Sequence, residues 1–501
     1  MASAQAGSDI PLGEVLDQAL RFNASLLLGQ QQVMAAEGEV LKARGPFDPV
    51  LRASAGRSRD LRPLRADELG LYQTLGPDPG ASQIQEATTY RIGADKTLLN
   101  GLSTGVDFLV TSTRDNLQTM AGVPSQLSGT LAFTFKIPLA RNAGRETVGA
   151  ELDAAQAEHE AACADFQHAS AQILLESTLA YWDWVTKAKR LEIATATEKR
   201  LEDLVTEIRH LIEADQMPRA DIELALASRS EKVAMRLTSE QEVDEARKNL
   251  ARLMGLSAGR IHEMGRPAND FPPHHALPSP LRESLLIDQA LASRADLEAD
   301  RQRDRAAGYR LRAARNNLKP QVDLNLSLGY TGLDEGGSAI RADRGLKNAA
   351  GSTVGATLSL QWPWDNSAAR GTHLAEAATS ESASLHQRDL EQSIAANVPV
   401  LVALVRRAAA QALESAETVR RYETTLKNEQ TKRRLGTATV IDVINVEDRL
   451  NNALLTNVAL RQRYASAIVQ LRFELGRLVR REGERHQVAL PALLQGRAIE
   501  D

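Results

Sequence analysis

Apolar and polar positions alternate in four short stretches of this chain, and each stretch begins or ends at a proline. After Pro320, Val322, Leu324, Leu326, Leu328 and Tyr330 alternate with Gln321, Asp323, Asn325, Ser327 and Gly329. That is period two, a strand with one apolar and one polar face. Val354, Ala356, Leu358, Leu360 and Trp362 repeat it before Pro363, and Leu131, Phe133, Phe135 and Ile137 do so before Pro138. Leu51, Ala53 and Ala55, after Pro49, make a weaker fourth. The expected strands cover about 49–58, 128–138, 320–330 and 353–362. A further alternating pair surrounds Asn100-Gly101 and predicts a hairpin over 89–113, Asn-Gly being the strongest short hairpin signal. The pattern leaves open whether that hairpin joins the other strands.

Between these stretches the spacing is helical. Ala, Leu and charged residues fill 12–47 and 283–318. Each run stops at a proline, which lacks the N–H and clashes with the preceding turn. Runs over 146–213 and 368–434, read as free of helix breakers, predict two helices of roughly 100 Å at 1.5 Å per residue. Returning helices are expected over 219–254 and 440–478. In the last of these Val446, Leu450, Ala453, Asn457, Leu460, Tyr464, Ala467 and Leu471 step by four and three, the spacing of a coiled-coil seam. Pro-rich residues 256–282 read as a linker, and 480–501 as a tail.

The two halves repeat one plan. Asp17-Gln18-Ala19-Leu20 recurs as Asp288-Gln289-Ala290-Leu291, an offset of 288 − 17 = 271 that also maps Ala43-Arg44 onto Ala314-Arg315 and Pro49 onto Pro320. Further on, Pro138 to Arg145 resembles Pro363 to Arg370, and Ala220-Asp221-Ile222 resembles Ile441-Asp442-Val443. Such order with drifting loop lengths is the mark of an old tandem duplication.

Composition narrows the class. The 501 residues carry a net charge of −5, which argues against a dedicated nucleic-acid binder. One cysteine, Cys163, excludes an internal disulfide or a cysteine metal cluster. No stretch reaches about 18 uninterrupted apolar residues; Pro399 interrupts the best short run, Val398 to Val405. The first residues lack the basic and apolar segments of a leader, so either the protein is cytoplasmic or a leader has been removed. No phosphate-cradling loop, HExxH or nucleophile elbow is visible, so no catalytic residue, metal site or cofactor is expected. His274-His275 reads as solvated linker, and Trp182 and Trp184 as helix packing.

Strands with one greasy face need a cover. A soluble sandwich would press those faces together, and with the helices as coiled coils the chain would be a cytoplasmic or periplasmic scaffold. Yet the strands lie between helices too long to fold over a small sandwich. Alternating strands of about 9–11 residues suit an outer-membrane barrel, apolar side to lipid. Open edges leave backbone groups unpaired in lipid, so the sheet must close. Four strands cannot enclose a channel; three copies supply twelve, and more if the hairpin joins.

At this point the chain resembles the TolC-like outer-membrane channels of tripartite efflux pumps and type I secretion systems. The resemblance spans nearly all of 12–478. It rests on the duplicated helix–strand–strand–long helix–helix plan, on Ala180-Tyr181-Trp182-Asp183, and on the turn Arg434-Leu435-Gly436-Thr437-Ala438-Thr439-Val440-Ile441-Asp442-Val443-Ile444. It implies a mainly α protein with membrane β: a homotrimeric transmembrane β-barrel continued by a long periplasmic α-helical barrel with coiled-coil hairpin tips. An equatorial belt would surround that barrel. The implied partners are a periplasmic adaptor, an inner-membrane RND or ABC transporter, and outer-membrane lipid. Arg434, Leu435, Gly436, Thr439 and Val443 at one tip, with Pro218 and Ile222 at the other, would dock the adaptor. Asp442, Asn445, Asp221 and Arg433 would line the periplasmic entrance, Asn445 standing where the family has a second acid. The family's latch tyrosine and arginine are matched by Arg433 and Ala438, so the closing bonds must differ. At the first tip Asp215 replaces an expected glycine. Substrate identity is not legible.

Overall fold

The computed structural model describes residues 9–72, 74, 82–120, 122, 125–214, 221–273, 282–335, 351–482, 485–488 and 490–496. They form two compact units, each assembled from several stretches of chain. One comprises residues up to 35, 160–301 and 385 onward; the other comprises 36–159 and 302–384.

The second unit carries a six-stranded antiparallel sheet, β1 (Val50–Pro63), β2 (Ser82–Thr97), β3 (Ser103–Asp115), β4 (Gln126–Pro138), β5 (Gln321–Glu335) and β6 (Gly351–Gln361), paired in chain order. The Asn100-Gly101 hairpin joins the sheet, and its strands β2 and β3 lie between β1 and β4. Gly101 takes φ +91, the left-handed conformation that costs glycine nothing. Its N–H bonds to the Leu98 carbonyl at 2.9 Å, and the Asn100 carbonyl receives the Gly144 N–H at 3.1 Å. Short helices α3 (Ala66–Tyr72) and α4 (Asn116–Met120) stand at the opposite end of the sheet. Helix α5 (Arg145–Val148) follows β4. At the helix-joined end, Asn142 (φ 61) and Asn366 (φ 46) turn the chain from strand to helix in the two repeats. Asparagine tolerates this backbone better than most residues. The Asn142 N–H donates to Asn316 Oδ1 at 2.8 Å, and Asn366 Nδ2 donates to the Leu318 carbonyl at 3.3 Å.

The helices expected over 12–47 and 283–318 are each broken once. Helix α1 (Leu12–Phe22) gives way to α2 (Ala24–Arg44) at Asn23, and α8 (Glu283–Ser293) to α9 (Ala295–Asn317) at Arg294. The breaks are equivalent under the duplication, since 294 − 23 = 271. Asn23 is extended; its Oδ1 accepts the Ser25 N–H at 2.9 Å and caps α2, while Nδ2 donates to the Leu253 carbonyl at 2.9 Å. Arg294 breaks its helix in the same way and is held by Asp296 and Glu474.

The long helices are α6 (Ala150–Glu213) and α10 (Ser367–Arg434), the returning ones α7 (Asp221–Leu253) and α11 (Val440–Glu474). The expectation that α10 is free of breakers needs correction, because Pro399 lies inside it. The helix continues because Ile394, Val398, Val402 and Val405 bury one face of that region in an apolar cluster with Tyr464, Ala467, Ile468 and Leu471. The same stretch is apolar enough to cross a membrane by length and composition, but that face packs within the protein. The narrow seam expected in α11 is also wider. Val458, Ala465 and Val469 are buried in one cluster while Tyr464, Ala467, Ile468 and Leu471 enter another, so α11 is covered on more than one side.

Trp182 and Trp184 pack as expected. Both are fully buried beside Tyr181, whose hydroxyl donates to the Ile10 carbonyl at 3.1 Å and accepts the Asn269 N–H at 3.0 Å. Burial pushes the Tyr181 pKa up to about 12. Two short strands, β7 (Val479–Glu482) and β8 (Arg485–Val488), pair antiparallel, and α12 (Leu490–Leu494) comes later in the chain. His274 and His275 lie outside the described residues.

Candidate functional site

Two regions are candidates: one face of the sheet and the turn between α10 and α11. On the sheet, register places Leu51, Ala94, Val106, Phe133, Leu328 and Val354 in one row across all six strands. The next row is Ala53, Ile92, Phe108, Leu131, Tyr330 and Ser352. Leu51, Ile92, Val354, Leu358 and Leu360 are exposed, Leu51 at 81%. Contiguous apolar surface of this extent marks a contact with lipid or another chain. The opposite face carries Arg52, Asp95, Asp107, Thr134, Ser327 and Thr353; Arg52 pairs with Asp95 at 2.5 Å. Trp362 and Trp364 are exposed just past β6, at the helix-joined end. The outer strands β1 and β6 each have one edge with no partner strand among the described residues.

At the turn, α10 ends in a paired backbone lock. Gly436 (φ 76) donates its N–H to the Arg433 carbonyl at 2.9 Å, and the Thr437 N–H reaches the Lys432 carbonyl at 2.9 Å. This is the glycine-dependent Schellman end of a helix. Thr439 then opens α11 with a capping box: its Oγ1 accepts the Asp442 N–H at 3.2 Å, and Asp442 Oδ2 accepts the Thr439 N–H at 2.9 Å. These bonds from Thr439, side chain first and backbone second, hold the Asp442 carboxyl below its ordinary pKa.

The expected site residues fall into three groups. Arg434, Leu435, Gly436, Thr439, Asp442 and Asn445 are exposed. Val443 is not available for docking as expected: it is buried with Leu201, Leu204, Ile208, Val440 and Ile444, because the capped helix turns that face inward. Ile222 packs partly buried against the same cluster. Arg433, expected at the entrance, is instead withdrawn: its side chain is only 6% exposed and pairs with Glu207. Asp221 begins α7, and Pro218 lies outside the described residues.

A polar layer beside this cluster escaped the sequence reading. Glu447, 3% exposed, accepts from Arg200 Nε at 2.5 Å, and Thr197 meets Asn451 at 3.2 Å. The available signal was spacing: Glu447 and Asn451 stand where Val443 and Leu450 set the buried face of α11. A buried carboxylate needs such a partner, since removing it would strand the charge.

Comparison with known proteins agrees with this geometry. Residues 286–477 match the family model for outer membrane efflux proteins. Among solved structures, VceC, an outer membrane protein from Vibrio cholerae, is 19% identical; the alignment covers 93% of this chain and 96% of that one, with a TM-score of 0.64. The outer-membrane channel OprN is 17% identical over 93% of this chain and 89% of its own, TM-score 0.66. The CmeC outer membrane channel of Campylobacter jejuni is 12% identical over 98% and 90%, TM-score 0.66. No curated protein matches. The chain thus has the fold of the outer-membrane channels, and its second half matches the outer membrane efflux protein family; the resemblance to TolC-like channels holds.

Proposed function

We propose that the protein is a passive outer-membrane exit duct, made when copies of the chain close their sheets edge to edge. It carries substrates handed over by a periplasmic adaptor and an inner-membrane RND or ABC transporter, in a tripartite pump or a type I secretion system. The observation that carries this reading is the sheet itself: among the described residues, six strands, one face apolar with Leu51, Ile92, Leu328 and Val354 exposed, and two edges without a partner strand. In hydrocarbon those edges must pair, and β1 of one copy must pair with β6 of the next if the apolar faces are to stay on one side and the helices of every copy are to leave the same side of the membrane. Three copies supply eighteen strands rather than twelve. Barrel diameter grows roughly linearly with strand number, so the ring is about half as wide again as a twelve-stranded one of equal tilt.

Most of the helical chain then lies in the periplasm. The exposed turn residues Arg434, Leu435, Gly436 and Thr439, with the first tip around Pro218 and Ile222, meet the adaptor. Val443 acts from beneath by packing the turn. Asp442 and Asn445 face the entrance, where repeated carboxylates favour cations, and Asp221 is assigned to the same ring by the family resemblance. The Asp442→Ala variant therefore has reduced cation preference in single-channel current; an unchanged preference removes Asp442 from the pore.

Fractionation and mass measurement test the whole reading. Expected are recovery in the outer-membrane fraction, a need for detergent, a mass of three protomers, and ion conductance in planar bilayers. A monodisperse monomer soluble without detergent would overturn it in favour of the scaffold.

A further inference from the structure

The outward apolar face ends abruptly at its far edge, and what stands there is basic. Counting out from the row of Leu51 and Leu328, the rows on that face pass through Ala53 and Ala55 to Arg57 and Arg59 on β1. Register places Arg59 beside Glu86 of β2 and Arg114 of β3. All three guanidinium groups therefore project from the face that carries Leu51, Ile92, Phe133 and Leu328, at the end away from the helix joints. Arg57 and Arg59 are 72% and 60% exposed. Glu86 pairs with Arg57 at 3.0 Å and lies 3.8 Å from Arg59, which leaves a surplus of two positive charges. Arg114 is exposed and has no ion-pair partner among the described residues. The nearest other acid on this face, Asp334, is four strands from Arg57 along its row, about 19 Å, and two strands and one row from Arg114, about 12 Å.

An arginine on the lipid side of a strand is costly at mid-depth and tolerated near the interface. Three arginines in two adjacent rows, with none in the apolar rows below, mark the level at which lipid headgroups begin. Arg57 and Arg59 are about 7 Å apart along the strand, and Arg59 and Arg114 about 10 Å apart across it. Arginine binds phosphate through two parallel N–H donors. Resting on the channel reading, which puts this end at the cell exterior, we propose that Arg57, Arg59 and Arg114 form a binding site for the phosphate groups of the phosphorylated glycolipid of the outer leaflet. Glu86 holds Arg57 and Arg59 upright between them. Three copies place three such sites around the barrel, each next to a junction between subunits, because β1 is an outer strand. Bound glycolipid would fasten those junctions from outside.

The test uses the full chain, purified in detergent as the assembled oligomer. Its capture is measured on vesicles containing bisphosphorylated lipid A, the same glycolipid stripped of phosphate, or phosphatidylglycerol. The expected result is a preference for the phosphorylated glycolipid that falls tenfold or more in the R57Q/R59Q/R114Q variant, from about one favourable contact per arginine. Outer-membrane recovery of the variant stays intact. Equal capture with and without phosphate overturns the proposal, as does equal capture by phosphatidylglycerol. Should the triple variant fail to assemble, Arg114→Gln, which breaks no ion pair, decides: an unchanged preference overturns the site and a reduced one supports it. A wild-type chain that enters no vesicle refutes the channel reading itself, a result unlike any of the others.

Discussion

The assignment of the two sheet faces can be tested at neighbouring positions. Leu328 and Ser327 are adjacent on β5 and point to opposite sides; Leu328 lies in the row of Leu51, Val106, Phe133 and Val354, Ser327 in the row of Asp95 and Thr134. If the Leu328 side faces hydrocarbon at mid-depth, Leu328→Arg costs about 2–4 kcal/mol in each protomer. At about 1.4 kcal/mol per tenfold, that is a loss of roughly 30- to 700-fold in the equilibrium for insertion of each chain. Ser327→Arg faces water and costs about zero by the same argument. Ser112→Arg shares the Leu328 face but stands three rows further out, on the row of Arg57, where the penalty falls to about 0–1 kcal/mol. Outer-membrane recovery and heat-resistant oligomer on gels report all three variants. A dry sandwich would punish Leu328→Arg and Ser112→Arg alike, since both would be pressed against a second sheet. Equal loss at those two positions, or a greater loss at Ser327, refutes the lipid-facing assignment.

Three further outcomes follow from the helices. Thr439→Ala removes one half of the capping box at the head of α11; at about 1 kcal/mol for such a cap, amide exchange at Ile441 to Ile444 quickens by about fivefold, and an unchanged rate means the cap is not holding the turn. Because Asp442 titrates below its ordinary value, its part in that cap is present above the unfolded carboxyl pKa and fades as pH falls through the lower folded one. Asp442→Asn should erase this acid-side change in exchange. Tyr181→Phe strands the Asn269 N–H and lowers stability by about 1–3 kcal/mol. Since the folded pKa of Tyr181 is raised to about 12, its contribution is complete below pH 10 and is lost between about 10 and 12, so the deficit of the phenylalanine variant in thermal melts narrows across that window.

Period-two alternation made the four main strands legible, because a strand with water on one side and an apolar medium on the other must alternate. The hairpin was legible as a hairpin through Asn100-Gly101, but not its place between β1 and β4. Its pairing depends on strands whose ends lie 13 residues after it and 19 before it (Thr113 with Gln126, Pro63 with Ser82), which local spacing does not encode. The breaks at Asn23 and Arg294 were hidden for a related reason: their caps are completed by the Leu253 carbonyl and by Glu474, far along the chain. At the turn, Gly436, Thr439 and Asp442 announced both helix ends through their own chemistry. Val443 and Arg433 were placed on the surface because the turn was read alone; three neighbouring helices bury the one, and Glu207 draws in the other.

The widening of the sheet has a consequence for how such a chain can change by descent. A lone additional strand ahead of β4 would reverse its direction and deliver the following helix to the wrong end of the sheet. A pair joined by a tight bend restores the original heading, so β4 still ends at Pro138 beside the start of β5 and every downstream segment keeps its course. In the duct proposed above, the girth of the pore can therefore be altered by an even count of strands without rewriting anything that comes after.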